Sequence, residues 1–254
     1  MIQYQALERG QLPRREVRKV QFVGDVTEMI LPDNTALAPR PQAFLVEQSP
    51  NWTLPPHFHE EHQFQVFVQG SGSLGTKPVQ LLAVHYASPH TGYGPLISGA
   101  QGISYLTLRA VGDTGAWYLP ESRERNLRIP KSQAHGLPTL AWDTPTLQQL
   151  PQADQEVLIE PRTNGLAAWL LRLGPNQSAM LPDGASDSGG RFLVVAQGGL
   201  RHADTTLPPP AVVWMGPSDN LELRAADHGL ALIVLQFPRE AAQSFVESHP
   251  ELKA

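Results

Sequence analysis

The sequence predicts an all-β protein, on three observations: helix breakers spread along the whole chain, short apolar segments between them, and a repeat with a nearly constant offset. The 254 residues include 24 prolines and 21 glycines. Proline clashes inside a helix and lacks a donor, and glycine costs about 1 kcal/mol there, so long helices have no room. Between the breakers lie AFLVEQ (43–48), QFQVFVQG (63–70), LLAVHYA (81–87) and ISYLTLRA (103–110). RFLVVAQG (191–198), AVVWMG (211–216) and LALIVLQF (230–237) follow the same style. Their length and their β-branched and aromatic content predict strands. Only PREAAQSFVESH (238–249), with the short TLQQL (146–150), reads as helix.

The repeat organises the chain. HQFQVFVQGSG at 62–72 aligns without a gap on GRFLVVAQGGL at 190–200, an offset of 128. At that offset VHYASPHTGYG (84–94) lands on VVWMGPSDNLE (212–222), Pro89 on Pro217, and ISYLTLR (103–109) on ALIVLQF (231–237). A constant offset through three separate strands points to duplication. The predicted division is a first domain over 1–120, a polar, proline-rich linker over 121–152, and a second domain over 153–254.

Charge and composition exclude several classes. A net charge of −5 with no basic run argues against a nucleic-acid surface. No apolar run reaches the ~18 residues of a membrane span, and the first residues hold no apolar leader core, so a cytoplasmic protein is expected. With no cysteine, disulfides, thiolate metal sites and cysteine nucleophiles are absent.

The chemistry concentrates in the first copy. In PPHFHEEHQFQVFVQG (55–70), His57 and His59 are two residues apart on an extended segment, so both imidazoles face one side. That stretch resembles the first motif of the cupin superfamily, with Gly70 at the motif's glycine; YASPHTGYGP (86–95) echoes the second motif. The resemblance covers about 40–110 and 168–238 and implies two tandem cupin-type double-stranded β-helix (jelly-roll) barrels with a short C-terminal helix.

It further implies a divalent transition metal (iron, manganese, nickel or zinc) held by His57, His59, and the residues at the remaining motif positions, Gln63 and Tyr93. These last two are departures: the motif has glutamate where Gln63 stands and histidine where Tyr93 stands. The fourth ligand stays open between Tyr93, His90 and water.

The second copy has lost the histidines. Polar positions of copy one align with apolar ones of copy two: Gln65 with Leu193, His85 with Val213, Tyr93 with Leu221, Tyr105 with Ile233, Thr107 with Leu235, Arg109 with Phe237. Gln63, Gln65 and Phe67 share one strand face, and Tyr105, Thr107 and Arg109 another. Burying such groups unpartnered costs about 1–3 kcal/mol each, so a polar cavity is expected in the first barrel and a filled apolar core in the second. Gln65, Phe67, Tyr105, Thr107 and Arg109 are the candidate substrate-binding residues, with Arg109 a carboxylate partner.

Two functions compete. The resemblance implies a metal-dependent enzyme, a dioxygenase, hydrolase or isomerase, with His90 or His85 as acid or base. The alternative is a metal-free module that binds or senses a small molecule. The resemblance also implies a homodimer.

Overall fold

A computed structural model describes residues 2–7, 11–32, 41–113 and 115–249. The chain is almost entirely strand, and it divides into two compact units. One unit contains the strand Gln3–Ala6 and the chain from Gly136 to Ala242; the other contains the chain from Gly10 to His135 and the segment from Gln243 on. Each unit therefore takes a piece from the opposite end of the chain.

In the first barrel, strands run in the spatial order Gln133–Gly136, Val84–Ala87, Gln63–Leu74, Leu96–Arg109, Gln42–Gln48, Val23–Ile30, Arg14–Arg18. A separate two-stranded piece pairs His57–Phe58 with Trp117–Tyr118. The segment expected to link the domains supplies the strand Gln133–Gly136 to this sheet and a short helix, Thr144–Gln148, whose first turn is capped by the Asp143 side chain.

The second barrel repeats the order with Gln3–Ala6, Ala211–Met215, Arg191–His202, Leu223–Gln236, Ala167–Leu173 and Asp154–Ile159. Its core is a continuous cluster of Leu, Val, Ala, Met and Trp side chains.

The register of the third repeated strand differs from the alignment by one residue. Gly70 (φ +79°) lies against the Gly102 carbonyl (φ +78°), and Gly198 (φ +74°) lies against the Gly229 carbonyl (φ +80°). A Cβ at Gly70 would come within 2.2 Å of that carbonyl, so the crossing admits only glycine. Matching the two crossings sets 96–109 on 223–236, an offset of 127, and the two 14-residue strands have identical burial patterns. The second copy is one residue shorter between its Pro217 and Leu223 than the first is between Pro89 and Leu96. The structural counterparts of Tyr105, Thr107 and Arg109 are thus Leu232, Val234 and Gln236, not Ile233, Leu235 and Phe237.

Candidate functional site

The first barrel encloses a cavity of about 250 Å³. Strand pairing builds one wall: Thr107 sits opposite Gln65 and Tyr105 opposite Phe67, and Arg109 ends its strand against Gln42. Gln63, Gln65, Tyr105, Thr107 and Arg109 are all buried, although polar. His57 is held by its pairing with Tyr118 on one side and by a bridge to Tyr93 on the other. Apolar groups adjoin that wall, with Phe44 and Val46 on the next strand opposite Thr107 and Tyr105 and with Val17, Phe22, Val26 and Leu54; the charged groups Arg15, Lys19 and Glu28 also line the cavity.

A hydrogen-bonded chain runs along the polar wall. Its direction follows from the guanidinium, which can only donate. Arg109 donates to Gln63 Oε1 from Nε (3.0 Å) and Nη2 (2.6 Å), and to Gln42 Oε1 from Nη1 (2.7 Å). Gln63 Nε2 then donates to the Tyr93 hydroxyl (2.7 Å). His57 Nδ1 lies 2.8 Å from the Pro55 carbonyl and must carry the proton, so Nε2 accepts from Tyr93 (3.1 Å). Its last lone pair is thereby used.

His59 belongs to a second branch. Its Nδ1 is 2.5 Å from Asp113 Oδ2, and Arg109 Nη2 lies 3.1 Å from the same nitrogen. A contact that short between nitrogen and carboxylate needs the proton between them, so Nδ1 donates to Asp113. Arg109 and Asp113, 3.7 Å apart and with side chains 3% and 1% exposed, balance each other's charge.

Burial, reinforced by the neighbouring His59, pushes His57 down to about 3; burial, then the charge of Arg109, lowers His59. Both rings are neutral at pH 7. Burial alone would raise Asp113, but the charge of Arg109 and the bond from His59 bring it below its usual range. Tyr93 is raised by burial and keeps its proton.

His57, His59, Gln63, Gln65, Tyr93, Tyr105, Thr107 and Arg109 come together around the cavity. Three candidates do not line it, although the His85 ring lies 4.8 Å from that of Tyr93. Phe67 packs in the barrel's apolar cluster beside Tyr105. His85 stacks on His135 at 4.6 Å with its Nδ1 3.3 Å from that ring's Nδ1. His90 adopts φ +56° in its turn and packs against Phe58 and Phe245, with neither ring nitrogen hydrogen-bonded.

The sequence reading did not single out Asp113 or Gln42. Asp113 stands four residues past Arg109, and that spacing after a strand end was its only signal. Nor did it mark Glu61, whose carboxylate accepts from Ser244 Oγ (2.5 Å) and the Phe245 amide (2.9 Å).

The donor set does not fit a divalent metal. Among the described residues no three His, Asp or Glu side chains group as ligands. His57 Nε2 is occupied by Tyr93, the group at 63 is a neutral amide, and a guanidinium already contacts both that amide's oxygen and His59.

Two tandem jelly-roll units, with two inward histidines in the first, define a bicupin fold. Solved structures match it along most of the chain. A dioxygenase described as putative, from Nostoc punctiforme, has a TM-score of 0.62 at 14% identity, covering 96% of this chain and 85% of that one. Pumpkin seed globulin gives 0.58 at 12%, covering 94% and 85%. A bacterial pirin from Escherichia coli, in complex with nickel(II), gives 0.53 at 11%, covering 94% and 99%. No family model and no curated protein matches the sequence. The identities are low and the matched proteins diverse, so the likeness is one of fold. No helix among the described residues is long and apolar enough to cross a membrane.

Proposed function

We propose that the first barrel binds a compact, electrically neutral small molecule bearing hydroxyl or N–H donors, without a metal. One observation carries this reading: Gln65 Oε1, on a side chain buried to 3% exposure, has no hydrogen-bond partner among the described residues. An orphan acceptor of this kind costs about 1–3 kcal/mol, which a ligand donor in the cavity would recover. Gln65 lies beside Thr107 and close to Tyr105, whose hydroxyls make no hydrogen bond among the described residues.

The buried charges of the cavity cancel, while Arg15 and Lys19, which also line it, are exposed. Asp113 balances Arg109, and the Arg109 donors are used on Gln63 and Gln42 rather than presented as an open pair for a carboxylate. At about 250 Å³ the space falls below the roughly 300–1,000 Å³ of drug-sized sites, so the ligand is small. Its apolar side would meet Phe22, Phe44 and Val46. The dioxygenase reading draws support from the likeness to the Nostoc protein, but the donor set favours binding over metal-dependent chemistry.

Thermal-shift screening tests this with matched pairs of small alicyclic or aromatic alcohols and their carboxylates. Neutral alcohols should raise the melting temperature of the native chain and fail to raise that of Gln65→Leu. Stronger stabilisation by the carboxylates, or equal stabilisation of Gln65→Leu, would overturn the reading.

A further inference from the structure

The second barrel carries the same arginine–glutamine pair with its ends exchanged, the arginine there being half-buried. In the corrected register Gln63 corresponds to Arg191 and Arg109 to Gln236. Arg109 Nε donates to Gln63 Oε1 over 3.0 Å, and Arg191 Nε donates to Gln236 Oε1 over 2.9 Å. Each glutamine or arginine on the longer strand then reaches a further acceptor: Arg109 the Gln42 side chain (2.7 Å), Gln236 the Gly165 carbonyl (2.6 Å). The second barrel has no histidine pair and an apolar core, so ligand recognition does not account for the pair there. Its shared property is mechanical: one guanidinium–amide bond joins the strand beginning at 63 or 191 to the strand ending at 109 or 236.

We infer that this tie fixes, in both barrels, the ends of two strands already paired along their backbones, and that in the first barrel it masks a latent metal site. Arg109 is a positioning residue in that account. Its Nη2 donates to Gln63 Oε1 over 2.6 Å and lies 3.1 Å from His59 Nδ1, so a cation already stands beside two of the groups an ion would have to collect. Like charges so close, with little water between them, repel strongly. The amide at 63 passes the constraint on, since it fixes Tyr93, which in turn holds the His57 lone pair. Removing the guanidinium and restoring a carboxylate at 63 would free the three donors a first-row ion favours. The inference rests on the metal-free reading of the cavity, but its test uses no organic ligand, so a failed ligand screen leaves it standing.

The experiment is calorimetric titration of the full chain with nickel(II) alone, beside thermal melts. Native protein should bind nickel weakly. Gln63→Glu/Arg109→Ala should bind about 100-fold more tightly, and lose that gain when His57→Ala is added. In the melts, Gln63→Arg alone places two guanidiniums together and should lower the melting temperature by about 8 °C. The exchange Gln63→Arg/Arg109→Gln, which copies the second barrel, should restore it to within about 3 °C of native.

Tight nickel binding by the native chain that depends on His57 would overturn the inference. So would a folded Gln63→Glu/Arg109→Ala chain with no gain in affinity. Should that variant not fold, the exchange decides: if it melts no higher than Gln63→Arg alone, the tie does not fix the paired strand ends and the inference fails.

Discussion

Gln65 and Asp113 set the residue-scale expectations, because each would be costly in a dry core and each lies beside the same cavity. Replacing Gln65 by leucine removes an orphan acceptor, so the empty protein should become more stable by about 1 kcal/mol as read by urea denaturation. Asp113→Asn should do the reverse. It leaves Arg109 buried without a counter-charge and loosens His59, at a cost of about 3 kcal/mol in the same measurement. The sequence made Gln65, Thr107 and Arg109 legible because alternation along a strand identifies a face. It does not give depth along that face. Phe67 shares a face with Gln65 yet lies beyond the cavity in the apolar cluster. Asp113 was hidden for another reason: it sits on an irregular segment with no period to mark which way it points.

Elements respond to pH through the histidines they bury. His62 is pushed down to about 4 by burial, His57 to about 3, and His85 well below its usual value, all chiefly by desolvation. The unfolded chain takes up protons on these rings near pH 6.5 while the folded barrel does not, so stability falls as pH drops from about 6.5 toward 4. Glu61 acts in the opposite sense. Burial raises it to about 7, so below that pH the folded state holds a proton the unfolded state lacks until about pH 4.5.

His59, His90 and His135 are lowered as well, so six depressed histidines against one raised carboxylate leave a net loss on acidification. Each unmatched proton is worth about 1.4 kcal/mol per pH unit. Urea midpoints measured between pH 7 and pH 5 should fall, and His62→Gln should flatten the slope. An unchanged midpoint over that range would contradict the assignment. The strands themselves were readable from segment length and composition. The one-residue slip in the third repeated strand was not, because both registers place apolar residues opposite one another, and only the glycine crossings distinguish them.

At the scale of the whole molecule, fold was the most legible feature, since the repeat fixes two similar barrels whatever their chemistry. The exchange of terminal pieces left no such signal. Gln3–Ala6 pairs with Ala211–Met215, and the segment after Gln243 joins the first barrel through Ser244 and Phe245. Deleting residues 2–6 should therefore destabilise the second barrel, far away in sequence, by about 2 kcal/mol. Hydrogen exchange would show it as lost protection along Ala211–Met215.

That exchange also orders events during synthesis. The strand Gln3–Ala6 leaves the ribosome early and has no pairing partner until residue 211 has followed it. Glu61, in turn, waits for Ser244 before its carboxylate is capped. Domains usually fold one after another as they emerge. Here the first barrel lacks its last piece until the chain of the second has emerged, so the two are expected to complete close together.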